Sequence, residues 1–106
     1  MQKYLVSVSY TGDGAKGLRK DGGTKRRLVA SNAVESLGGK IESFYFCFGD
    51  HDAIVIADFP DAVSAAALSV AIAATGSVRL STTQLLTAED MDKACGKKTA
   101  YKAPGA

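Results

Sequence analysis

Residues 41 to 59, IESFYFCFGDHDAIVIADF, constrain the chain more than any other stretch. Phe44 to Phe48 and Ala53 to Ala57 are two apolar runs of strand length, and the four residues between them, Gly49-Asp50-His51-Asp52, are turn formers. The pattern predicts a β-hairpin in the middle of a small sheet, with the chain's one histidine at its tip. Other strands must flank it, because an isolated hairpin is marginal in water.

Those strands are legible. Residues 3 to 10 alternate, with Tyr4, Val6, Val8 and Tyr10 on one side and Leu5, Ser7 and Ser9 on the other. Residues 77 to 84 alternate again, Val78, Leu80 and Thr82 against Arg79, Ser81 and Thr83. Residues 11 to 23 carry five glycines and read as a loop with at most one helical turn around Ala15 to Arg19. Thr24 is the expected N-cap of a helix whose apolar stripe is Ala30, Ala33, Val34 and Leu37, ended by Gly38-Gly39. Asp61 caps a second helix, residues 62 to 75, which is apolar nearly all round and therefore expected to be closely packed. Thr87 and Asp90 have capping-box spacing for a short C-terminal helix to about Cys95, with Leu86 and Met91 placed to close a hydrophobic staple.

The order β-α-β-β-α-β predicts an α+β fold, a ferredoxin-like sandwich with two helices on one face of a four-stranded antiparallel sheet. Right-handed crossovers set the strand order 4-1-3-2. At 106 residues the chain is read as one domain, residues 1–96, followed by a flexible tail, 97–106.

Two helices cover one sheet face only. The other would show Leu5, Ser7, Ser9, Tyr45, Cys47, one apolar set from the third strand, Arg79, Ser81 and Thr83. That surface is too apolar for bulk water, so a second copy of the chain is expected to cover it; the alternative is a monomer with an apolar sheet face. The net charge of +2 gives no reason to expect nucleic acid or an anionic membrane as a partner. The longest apolar helical run, Ala65 to Ala74, falls short of the ~20 residues that span a bilayer. No signal peptide is visible, and two distant cysteines make no disulfide framework, so the reading is cytoplasmic with free thiols.

The topology gathers polar residues at one end of the sheet: Tyr10, Lys16, Lys25, Arg26, Arg27, His51, Asp52 and Arg79. Lys25-Arg26-Arg27 in a first helical turn would oppose the helix dipole unless an anion sits there; otherwise the helix starts earlier and the run is a solvated basic face. Gly12-Asp13-Gly14-Ala15-Lys16-Gly17 matches G-x-G-x-x-G, but Gly22-Gly23 interrupts the long helix that a dinucleotide site needs. His51 and Asp52 are candidates for an acid–base pair, against the plainer reading of a solvent-facing turn histidine. One histidine and two isolated cysteines make no zinc site, and no cofactor is expected.

The hairpin with its flanks, Glu42 to Asp61, resembles the GYD-domain family, named for a Gly-x-Tyr-Asp motif in this hairpin. Also similar are Tyr10-Thr11, Gly14-Ala15-Lys16-Gly17, Glu35 to Lys40, and Val78-Arg79 with Thr82-Thr83 leading to Leu86-Thr87, so the resemblance spans about residues 3 to 93. His51 stands where that family usually has Tyr. The resemblance implies a dimeric α+β-barrel type of fold and little about activity.

The functional expectation is a self-associating protein that binds a small anionic or polar ligand between sheet and loops. Arg79, Lys16 and Arg27 would supply positive charge, with Tyr10, His51 and Asp52 at the mouth. The alternatives are an enzyme moving protons through His51 and Asp52, and a structural or partner-binding module with no ligand.

Overall fold

A computed structural model describes all 106 residues, Met1 to Ala106. The elements are β1 (Gln2–Tyr10), α1 (Gly12–Asp21), α2 (Gly23–Ser36), β2 (Lys40–Phe46), β3 (Ala53–Phe59), α3 (Ala62–Ala73), β4 (Val78–Leu85) and α4 (Ala88–Gly96). The four strands form one antiparallel sheet in the order β2-β3-β1-β4, the order that the crossovers require. The helix count exceeds a plain βαββαβ sandwich: α1 is inserted before α2, and α4 follows the last strand.

The alternation in β1 sorts its two faces. Tyr4 and Val6 are buried beneath the helices, and Val6 sits between Val55 of β3 and Thr82 of β4. Leu5, Ser7 and Ser9 face away, opposite Ile56, Ile54 and Arg79 respectively. β2 breaks the alternation once. Its register with β3 shifts between Ile41 and Ser43, leaving Glu42 as a bulge. The extra residue puts Ile41 and Phe44 on the same side, where both pack against the core. Phe46 follows on that side, whereas Phe48, the last residue of the apolar run, lies beyond the strand and is 98% exposed.

The core joins Tyr4, Val6, Val55, Ala57 and Phe59 of the sheet to Val34 of α2 and Ala65 and Leu68 of α3. Tyr4 and Phe59 meet edge to face, with ring centroids 5.8 Å apart. This core is thin: ten of the 106 residues are buried, so much of the apolar surface has no cover within one chain.

Three sequence expectations need correcting. Residues 12 to 21 are a helix, not a loop. Thr11 makes it one, since its side chain accepts from the Gly14 amide and caps α1. The N-cap of α2 is Gly22, not Thr24. Gly22 also ends α1, and its φ of 82° lets the chain turn a corner between two consecutive helices. Finally, α3 is not enclosed on all sides. It packs through Ala65 and Leu68, while Val63 and Val70 are 79% and 69% exposed, because nothing in the same chain lies against its outer face. The Asp61 cap of α3 is present, its side chain accepting from the Ser64 amide at 2.7 Å. So is the capping box of α4, in which Thr87 and Asp90 each accept from the other's backbone amide. Residues 97 to 106 carry neither helix nor strand.

Candidate functional site

Helices α2 and α3 lie over opposite halves of the sheet, α2 by β2 and α3 by β4. Between them is a cleft of about 450 Å³, within the size range of small-molecule sites. Small side chains keep it open. Ala53 and Ala57 of β3 floor it, Ala30 and Ala33 of α2 form one wall, and Ala71 of α3 lies on the other. Larger apolar side chains, among them Val8, Phe44 and Ile72, make up most of the rest of the lining. The polar exceptions are Arg26, Thr75 and Ser77, with Tyr10 also in the lining.

These polar groups are held at the α1 end of the molecule. Tyr10 and Ser77 are adjacent to the β1–β4 pair Tyr10–Val78. Thr11 ties the start of α1 to the turn before β4: its amide donates to the Ser77 carbonyl at 3.0 Å, and its hydroxyl reaches the Gly76 carbonyl at 3.1 Å. Gly14 is buried against that turn, where a β-carbon would overlap the Ser77 carbonyl. A recess of about 110 Å³ beside α1 shares Tyr10, Arg26 and Ser77 with the main cleft. Arg26 lies 3.6 Å from an Asp21 carboxylate oxygen, and Lys25 lies 3.5 Å from the other oxygen of the same group. One carboxylate thus offsets two cations in the first turns of α2, whose helix does begin at Gly23.

Of the residues singled out in the sequence, Tyr10 lines the cleft. Lys16 and Arg27 are exposed on α1 and α2. His51 is exposed in the hairpin connection, where its carbonyl accepts from the Cys47 thiol at 3.2 Å. Asp52 is half-buried, and its carboxylate accepts from the Tyr10 amide at 2.7 Å. Its own amide donates to the Val8 carbonyl at 2.8 Å, so it pins the hairpin to the end of β1. Arg79 pairs with Ser9 on the far face of the sheet, away from the cleft. Arg26 is the cation that reaches the cleft, and helical phase could have found it. It lies four residues before Ala30 and seven before Ala33, on the apolar stripe, whereas Arg27 is a step round the helix.

The far face carries Leu5, Ile54, Ile56 and Tyr45, with Lys3 at one end. The Lys3 ammonium donates to Asp58 at 2.9 Å and lies 3.2 Å from Glu42. The hydrogen bond to Asp58, then that to Glu42, raises the Lys3 pKa above its ordinary value of 10.5.

Residues 4–95 match the family model of the GYD domain. The chain belongs to the GYD-domain family. No curated protein and no solved structure matches it. For this GYD-domain protein the match begins inside β1, covers β2 to β4 and helices α1 to α3, and ends inside α4. No helix in it is long and apolar enough to cross a membrane.

Proposed function

We propose that this GYD-domain protein is a self-associating binding protein that takes a small, mainly apolar molecule into the cleft between α2 and α3. The ligand carries one polar or anionic group, which lies toward Arg26, Tyr10 and Ser77. The observation that carries this reading is the lining: a cleft of about 450 Å³ lined by alanines and larger apolar side chains, with polar groups confined to one end. The ligand expected from the sequence was small and anionic or polar; the lining favours an apolar body with one such group. Self-association is supported by the far sheet face, where Leu5, Ile54, Ile56 and Tyr45 have no cover from the same chain.

Proton transfer from His51 to Asp52 has less support. The Asp52 carboxylate is engaged by the Tyr10 amide, and His51 is exposed in the loop outside the cleft.

A thermal-shift series with small apolar carboxylates and their neutral amides tests the binding reading. A ligand at a hundredfold excess over its Kd stabilises by about 2.7 kcal/mol, or about 10 °C for a domain of this size. Ala71→Phe places a ring in the cleft without disturbing the buried core, since Ala71 is exposed at its edge. The expected result is a shift in the parent protein that Ala71→Phe abolishes and Arg26→Gln weakens for carboxylates only. A shift that survives Ala71→Phe would place the ligand elsewhere and sink the reading.

A further inference from the structure

Helix α4 has local reasons to form and nothing in its own chain to rest on. Its capping box is complete, Glu89 and Asp90 sit in its first turn and Lys93 in its last. Yet none of its nine residues is buried. A helix this short is marginal alone, since isolated helices need ~12–15 residues even with favourable sequences.

Its apolar residues also lack partners. Met91 and Cys95 are one turn apart, with Ala88 a turn before them, and Glu89 and Asp92 take other sides. Leu86, just ahead of the helix, is 56% exposed and Met91 51% exposed. This stripe continues an apolar surface already described. Leu85, the last residue of β4, pairs with Lys3 and therefore shares the far face with Leu5 and Ile56. The apolar strip runs off the sheet into Leu86 and then Met91.

The dimensions agree. The radius of gyration is 16.9 Å, against about 13 Å for a compact chain of this length. The accessible surface is 7472 Å², against about 5,600 Å² for a folded monomer of this size. The surplus, about 1,900 Å², is shared among the exposed residues 97–106, α4 and the uncovered sheet face, and it exceeds the ~800 Å² that each partner hides in a standard interface.

We infer that α4 is an arm which each chain lends to a second copy, seated at the rim of the partner's far sheet face with Leu86, Met91 and Cys95 turned inward. This rests on the self-association proposed above. The exchange is reciprocal, as a two-fold interface requires, so each chain gives one arm and receives one. The arm's own capping explains how it holds its shape while leaving the body.

Sedimentation equilibrium on the full chain tests this. The combined variant Leu86→Asp/Met91→Asp also removes the staple pair of α4, so it is read beside Cys95→Asp, which leaves that pair in place, and circular dichroism confirms that both keep the parent helix content; the expected dimer Kd is weaker by about tenfold or more in each. Asp92→Asn, on the polar side, leaves the dimer intact. Ile56→Asp reports on the sheet face separately. In a mixed dimer, a nitroxide on Asp92→Cys in one copy, with Cys47 and Cys95 replaced by serine, should broaden the amide signals of Leu5 and Ile56 in the isotope-labelled partner. A wild-type chain that stays monomeric overturns both readings. A dimer broken by Ile56→Asp but untouched by Leu86→Asp/Met91→Asp, or broadening confined to the spin-labelled chain, overturns the arm and leaves the sheet interface standing.

Discussion

Three glycines lie within α1, and alanine should act on two of them in opposite directions. Gly14 is buried where a β-carbon would overlap the Ser77 carbonyl and come within 3.0 Å of the Tyr10 ring. Gly17, three residues on, has nothing within 4 Å. Alanine gains up to about 1 kcal/mol over glycine inside a helix, and Gly17→Ala should keep most of it. At Gly14 the same gain meets an overpacking cost of about 1–3 kcal/mol. The clash is with backbone, so α1 must move, which disturbs the two Thr11 contacts to Gly76 and Ser77, each worth about 1 kcal/mol. The net expectation is a loss of about 2–3 kcal/mol for Gly14→Ala and a gain of about 0.5–1 kcal/mol for Gly17→Ala. Urea unfolding at one fixed protein concentration reads both. With a slope of about 1 kcal/mol per molar urea, the midpoint falls by about 2–3 M in the first variant and rises by about 0.5–1 M in the second. Equal stabilisation by both would refute the reasoning, because α1 would then not be docked on the turn before β4.

Asp52→Ala leaves the Tyr10 amide without its acceptor and should cost about 1–3 kcal/mol, with faster hydrogen exchange at Tyr10 as the local signature. The Asp61 pKa is held below 3.8, chiefly by the hydrogen bond from the Ser64 amide. Its contribution to stability is therefore full above 3.8 and lost as pH falls through the lowered value. Asp61→Ala should lower the neutral-pH urea midpoint and flatten the acid limb of the midpoint-against-pH curve; an unchanged acid limb would count against the cap.

The sheet was legible because its strands obey a two-residue period and crossover handedness leaves few orders. The far-face residues Leu5, Ser7, Tyr45, Arg79 and Ser81 follow from that same period. Helix α1 was not legible because glycine normally disfavours helix, and here the close approach of Gly14 to Ser77 outweighs propensity. The cleft was hidden for a related reason. Alanine-rich α3 reads as a tightly packed helix, yet alanines on α2, α3 and β3 together leave a gap between the layers. Arg26 was masked by its neighbours in the basic run, since charge alone does not separate three adjacent cations, whereas helical phase does.

The bulge at Glu42 has a consequence for the exposed border of the sheet. β2 is an outer strand, and its last two residues, Tyr45 and Phe46, are exposed apolar side chains. A straight outer strand of that kind would offer its free amides and carbonyls to any passing chain and invite open-ended stacking. The irregular step at Glu42, with charged Lys40 beside it, interrupts that ladder. If copies of this chain associate as proposed, that step disfavours open-ended growth along the β2 border.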